Sequence, residues 1–265
     1  MKTRILSAAV ALVLLFAVLL CGNMWILKIA VGIIGAIGLF ELYRAFEYQV
    51  HKELTWVGML LGFLIPFLPS VNSIVTVLFF YALFGIAVMV FRPQQLSFSD
   101  VTNFLVFQIY VPCALSCLVS VRETEFGAYA IWLILGGAWL TDTFAYFVGC
   151  AFGKRKLCPV ISPNKTIAGA VGGMTGTALS ALIYGFVLNR YFTVSLIPLA
   201  FLGICLGIVA QFGDLTASKI KRERGIKDFG HLMPGHGGVI DRFDSILFTA
   251  PMVSLFITYF TIFTK

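Results

Sequence analysis

Charge is what this chain has least of. Only 12% of its 265 residues are Asp, Glu, Lys or Arg, and the mean hydropathy is +0.97. A soluble globular domain carries roughly twice that share of charge, so a water-soluble fold is excluded. Acids are scarcer than bases, 12 against 19, for a net charge of +7. In a polar chain that excess would suggest nucleic acid. In one this apolar it marks cytoplasmic loops, and no nucleic-acid partner is expected. Cysteine patterning is absent as well. Cys21, Cys113, Cys117, Cys150, Cys158 and Cys205 show no metal-type spacing and most lie in apolar segments, so neither a disulfide framework nor a zinc site follows. Cys113 and Cys117 share a helix face, which reads as packing. There is no internal repeat and no low-complexity stretch. No small-residue cleavage site follows the first apolar run, Ile5–Leu20, which therefore reads as an uncleaved span.

Long apolar runs fill the space that charge leaves. Nine helices are expected, near Ile5–Leu20, Trp25–Leu42, Trp56–Leu68, Val71–Phe91, Val101–Val121, Gly127–Phe152, Ile167–Leu188, Val194–Arg224 and Val239–Phe263. The third is short and carries Pro66 and Pro69, so it reads as the weakest span. The fold expected is an all-α integral membrane bundle. With nine spans and a cytoplasmic N-terminus, only Arg122, Arg190 and Lys265 fall outside and only Lys28 falls within a span. Every other Lys and Arg is cytoplasmic. Residues 1–125 read as a scaffold with few motifs, and residues 126–265 as the region that carries the chemistry.

The polar residues of that second region converge on one level. Asp142, in "GGAWLTDTFAYFVG", lies in the cytoplasmic half of its helix, and an acid inside a span marks a functional site by default. Asp214 is twenty residues beyond Val194, roughly 30 Å along its helix, which brings it to the cytoplasmic boundary. Asp214, Ser218 and Lys221 share one face of that helix, with Arg222 at its edge. Asp241 and Asp244 share a face at the start of the last helix, joined by Ser245. These two carboxylates, facing Asp214 from the neighbouring helix, would suit Mg²⁺, which takes a few carboxylates, waters and substrate phosphates. Gly235, Gly237 and Gly238 would let an anion approach backbone N–H groups, His236 would bind phosphate or cap the turn, and Lys165 beside a helix start is a second phosphate clamp. Acids able to hold a cation beside bases able to hold phosphates point to phosphoryl or nucleotidyl transfer.

The stretch "SKIKRERGIKDFGHLMPGHGGVIDRFDS", Ser218 to Ser245, resembles the signature of the phosphatidate cytidylyltransferases, also called CDP-diacylglycerol synthases. Ser218, Lys221, Arg222, Lys227, Asp228, His236, Gly237, Gly238, Asp241, Arg242 and Asp244 all match. "WLTDTFAYFVGCAFGKRK" and "ISPNKTIAG" also resemble that family, with Asn164 where a lysine is usual. The resemblance implies CTP and phosphatidate as substrates at a lipid bilayer. It implies Mg²⁺ at Asp214 and Asp241, with room for a second cation, and phosphate contacts from Lys165, Lys221, Arg222 and Lys227. Asp142, Asp228, Asp244 and His236 would orient metal, water or basic side chains. It further implies a homodimer in a bacterial-type inner membrane with a cytoplasmic site. Two alternatives remain at this point. A CTP-dependent polyprenol or dolichol kinase shares the chemistry but not the signature. An ion-coupled transporter would line both membrane faces with polar residues, whereas here they gather on one.

Overall fold

The computed structural model describes residues 2–232, 235 and 237–265, with side chains from Ala9 onward. Met233, Pro234 and His236 lie outside the described residues, and the reading made for His236 with them. Among the described residues, six helices are long and apolar enough to cross a membrane: Met24–Ala45, Val71–Phe91, Phe98–Arg122, Gly127–Phe152, Ile167–Leu188 and Leu196–Glu223. Ala9–Leu20 and Ile246–Tyr259 are shorter apolar helices. The chain is thus a helical membrane protein, as its apolar runs predict.

The chain forms two compact units. The first joins residues 1–119 to 224–242. Its helices are α1 (Lys2–Leu20), α2 (Met24–Ala45), α3 (Lys52–Leu64), α4 (Val71–Phe91), α5 (Phe98–Gln108) and the start of α6 (Ala114–Arg122), with the short α10 (Ile240–Phe243). The core is made where α2 meets α3 and α5. Leu39, Leu42, Tyr43, Leu54 and Phe104 are each at most 1% exposed. The Tyr81 hydroxyl donates to the Leu54 carbonyl at 2.9 Å, and Gln108 Nε2 donates to Gly58 O at 2.7 Å, each using the second lone pair of a carbonyl within α3. The expected third helix ends at Leu64, and a 3₁₀ turn, Ile65–Phe67, takes up Pro66. The expected fifth helix carries a π-type turn over Ile109–Cys113, where Pro112 has no N–H to give the ladder.

The second unit joins residues 120–223 to 243–265. It is built on α7 (Gly127–Phe152), α8 (Ile167–Leu188), α9 (Leu196–Glu223) and α11 (Ile246–Tyr259). Small residues set the spacing. A methyl on Gly207 would stand 2.5 Å from Met174 Cα, and one on Gly203 2.7 Å from Ala178 Cα, so α8 and α9 meet backbone to backbone. Hydroxyls hold the register. The Thr141 and Thr177 Oγ1 atoms are 2.7 Å apart, and Thr249 donates to Ile134 O at 3.1 Å. Two small antiparallel pairs lie between helices. β1 (Lys156–Cys158) pairs with β2 (Ser162–Thr166) in the loop before α8, and β3 (Thr193–Val194) pairs with β4 (Phe263–Thr264).

The last helix departs from expectation. It does not run unbroken from Val239; the chain leaves the helix at Asp244 and Ser245, between α10 and α11. Two bonds explain the break. The Ser245 N–H is taken by Asp244 Oδ1 at 2.7 Å, and the Ser245 hydroxyl donates to Ala210 O at 3.1 Å. Asp241 and Asp244 therefore do not share the face of one helix. All six cysteines are free, and Cys117 Sγ donates to the Cys113 carbonyl at 3.6 Å.

Candidate active site

Four of the expected residues come together in the second unit. β2 ends at Thr166, whose Oγ1 accepts the Gly169 N–H at 3.1 Å and caps α8. Lys165 is the residue before that cap. Its Nζ forms an ion pair with Asp214 Oδ2, and the two side chains are 23% and 29% exposed. Asp214 lies eighteen residues into α9, about 27 Å along the helix at 1.5 Å per residue. Gly213, just before it, lets the break after α10 pass close. A methyl there would be 2.9 Å from Ser245 Cα. Asp244 is thereby brought within electrostatic reach of Asp214, as is Asp142 of α7. Burial pushes the Asp244 carboxyl up to about 7, and the charges of Asp214 and Asp142 add to it against the Ser245 N–H bond and Lys221. Asp142 is open at the surface of α7.

Three carboxyl groups and one contacting ammonium are gathered in the later halves of α7 and α9 and at the break before α11. Lys165 is thus no lone cation, as its sequence position suggests, but the direct partner of Asp214. Ser218 and Lys221 follow Asp214 on the same face of α9, both partly covered, and Arg222 is exposed beside them. Among the described residues no group of three or more His, Cys, Asp or Glu side chains is arranged to hold a metal ion unaided. Magnesium asks for less, since it keeps waters and shares substrate phosphates.

The remaining signature residues belong to the first unit. Asp241 is 8% exposed, and its Oδ2 accepts two backbone N–H groups, from Phe229 at 2.8 Å and Gly238 at 2.9 Å. The Gly238 N–H, expected to meet an anion, is therefore already bonded. Gly237 has φ of +88°, and a methyl on it would stand 2.8 Å from Asp241 Oδ2 and 3.3 Å from Asp228 Oδ1. Only glycine fits both the backbone and the space. Lys227 and Arg242 are exposed at the two ends of this loop.

Two residues that the sequence reading passed over belong with these. Glu41 and Arg44, near the end of α2, bond the backbone of the same loop. The signal was present: Glu41 is an acid in an apolar helix, the same mark that singled out Asp142.

Comparison with known proteins is consistent across the chain. The family model described as the cytidylyltransferase family matches residues 2–260. A phosphatidate cytidylyltransferase of Bacillus subtilis (strain 168) is 32% identical over 269 residues, covering 98% of this chain and 99% of that protein. A phosphatidate cytidylyltransferase of Staphylococcus saprophyticus is 35% identical over 263 residues, with 96% and 98% covered. One from Staphylococcus aureus (strain COL) is 33% identical over 269 residues, with the same coverage.

Proposed function

The chain belongs to the cytidylyltransferase family, and we propose that it transfers the cytidylyl group of CTP to phosphatidate, giving CDP-diacylglycerol and pyrophosphate for phospholipid synthesis. The observation that carries the reading is Lys165 set on Asp214, with Asp142 and Asp244 in the same field, in the later half of membrane-length helices. A phosphate oxygen of phosphatidate attacks the α-phosphorus of CTP. One O–P bond forms, the bond from that phosphorus to the β-bridging oxygen breaks, and its electron pair leaves with pyrophosphate. The attacking oxygen is already ionised near neutral pH, so no strong base is needed. What remains for the protein is position and charge.

Carboxylate oxygens beside a phosphate suit Mg²⁺, which when bound neutralises the triphosphate and the departing pyrophosphate. Asp214 would hold it, with Asp142 or Asp244 alongside. Asp241, first read as the second ligand, is assigned here to closing its own loop, because Oδ2 is bonded to backbone. Lys165, Lys221, Arg222 and Lys227 would bind phosphate oxygens, Lys165 from a position already ordered by its ion pair. Ser218, on the Asp214 face of α9, would donate to the same phosphates. The nine-span topology with a cytoplasmic N-terminus and site, supported by the one-sided placement of Lys and Arg, completes the proposal, together with the inner-membrane location and homodimer that the family resemblance implies.

The test is label transfer by purified protein in mixed micelles with Mg²⁺ and phosphatidate. Label on the α-phosphorus of CTP should enter the lipid, and label on the γ-phosphorus should leave in pyrophosphate. A kinase would instead move the γ-label to a polyprenol. Failure of the α-label to reach the lipid overturns the proposal.

A further inference from the structure

We infer that Glu41 and Arg44 of α2 are positioning residues, which fix Phe229 and Val239–Ile240, and through them the flanking Lys227, Asp228 and Arg242, before substrate arrives. The inference rests on the cytidylyltransferase reading above.

Glu41 is 3% exposed on an apolar helix. Its Oε1 accepts the Val239 N–H at 2.9 Å and its Oε2 accepts the Ile240 N–H at 3.0 Å. Both donors stand at the start of α10, where N–H groups have no partner within the helix. One turn along α2, Arg44 Nη2 donates to the Phe229 carbonyl at 2.6 Å. Just past the end of α2, the Phe46 ring lies 3.7 Å beneath the Arg224 guanidinium. The end of one helix thus holds the approach to the loop, its first residue and its last two. Asp241 ties the same ends to each other through Phe229 and Gly238.

The glycines around the Glu41 carboxylate fit the same contact. A methyl on Gly230 would collide with Glu41 Oε1, and one on Gly238 with both carboxylate oxygens. Two glycines of the signature are therefore explained by the space that one buried acid occupies. Between the clamped ends the loop bends through Gly235 and Gly237, both at positive φ. Fixing a residue's backbone in one conformation costs entropy, so Phe229, Val239 and Ile240 stay in place only because bonds hold them there. If only a fraction of molecules has Phe229 and Val239–Ile240, and so Lys227 and Arg242, in place, apparent substrate affinity falls by that fraction, while saturating substrate restores the rate. A clamp of this kind acts on KM rather than on kcat.

Glu41→Gln keeps the side-chain size but turns one acceptor into an NH₂ group facing a backbone N–H. The readouts are KM and kcat for CTP and phosphatidate, with hydrogen exchange of the peptide that holds Val239 and Ile240. Expected are a roughly tenfold rise in KM for at least one substrate, kcat within about twofold, and faster exchange at that peptide. Arg44→Gln should show the same pattern at smaller size. Because Arg44 is exposed, it carries the comparison if Glu41→Gln does not fold. An unchanged KM with kcat falling in step with the folded fraction would make the contacts merely structural, and unchanged exchange would remove the clamp altogether. Wild-type protein inert toward CTP and phosphatidate would instead defeat the functional reading, leaving exchange to decide the clamp alone.

Discussion

Replacing Lys165 with methionine should separate stability from chemistry. The ammonium rests on the Asp214 carboxylate, with both side chains mostly covered. Without it, Asp214 faces the charges of Asp142 and Asp244 with its contact partner gone. An exposed ion pair contributes about 0–1 kcal/mol, and breaking a fully buried one costs about 3–5 kcal/mol, so about 2 kcal/mol is expected for this partly covered pair. Adding Asp214→Asn to the Lys165→Met protein removes the uncompensated charge and should return most of that loss. Turnover should behave differently. Loss of one charge-assisted phosphate contact, about 1.5–3 kcal/mol, lowers turnover of CTP with phosphatidate roughly ten- to a hundredfold, and the double variant recovers none of it. The assays are thermal unfolding in detergent micelles without divalent metal and turnover with it. A double variant as unstable as the single one would refute the coupling. Near-normal kinetics in Lys165→Met would leave Lys165 a structural counter-ion only.

Chelation by EDTA should stop the wild-type reaction and added Mg²⁺ should restore it, while Asp214→Asn should stay folded and nearly inactive; full activity in that variant would send the search for the metal elsewhere. Asp244, outside α11 and held up to about 7 by burial, keeps a proton in the fold that the unfolded chain releases near about 4. Its contribution to stability is complete below about 4 and is lost as pH rises through about 7, so metal-free wild type should weaken across that window and Asp244→Asn should flatten the profile. Parallel profiles for the two proteins would rule out Asp244 as the source. Single cysteines at Lys156 and Arg190, in a background without the six native ones, should be labelled from opposite sides of the membrane, and labelling from one side would overturn the proposed topology.

Much of the helical framework was legible because its signal is local. An apolar run such as Val71–Phe91 states its own length, and structure and sequence agree on both ends. The break at Asp244 and Ser245 was not legible, because one of its two bonds goes to Ala210 on another helix. The pairing of Lys165 with Asp214 could be read only as a shared depth, since a short β-hairpin without helical periodicity sets the approach. Glu41 shows the limit most plainly. Its partners lie almost two hundred residues away along the chain, and nothing near position 41 names them. Asp241 was noticed for its charge, yet its visible bonds are to backbone amides, whose availability no side-chain pattern records.

The glycine contacts between α8 and α9 bear on how the enzyme meets a changing bilayer. Helices normally answer a thicker or thinner membrane by tilting, each on its own cushion of side chains. Where Gly203 rests on Ala178 and Gly207 on Met174, that cushion is missing, and a tilt of one helix drives backbone into backbone. Such a tilt moves α8 and α9 as a single body, with Lys165 at the head of one and Asp214 on the other. The spacing of that pair is then insulated from lipid composition, a useful property in a protein whose proposed product is the precursor from which that composition is made.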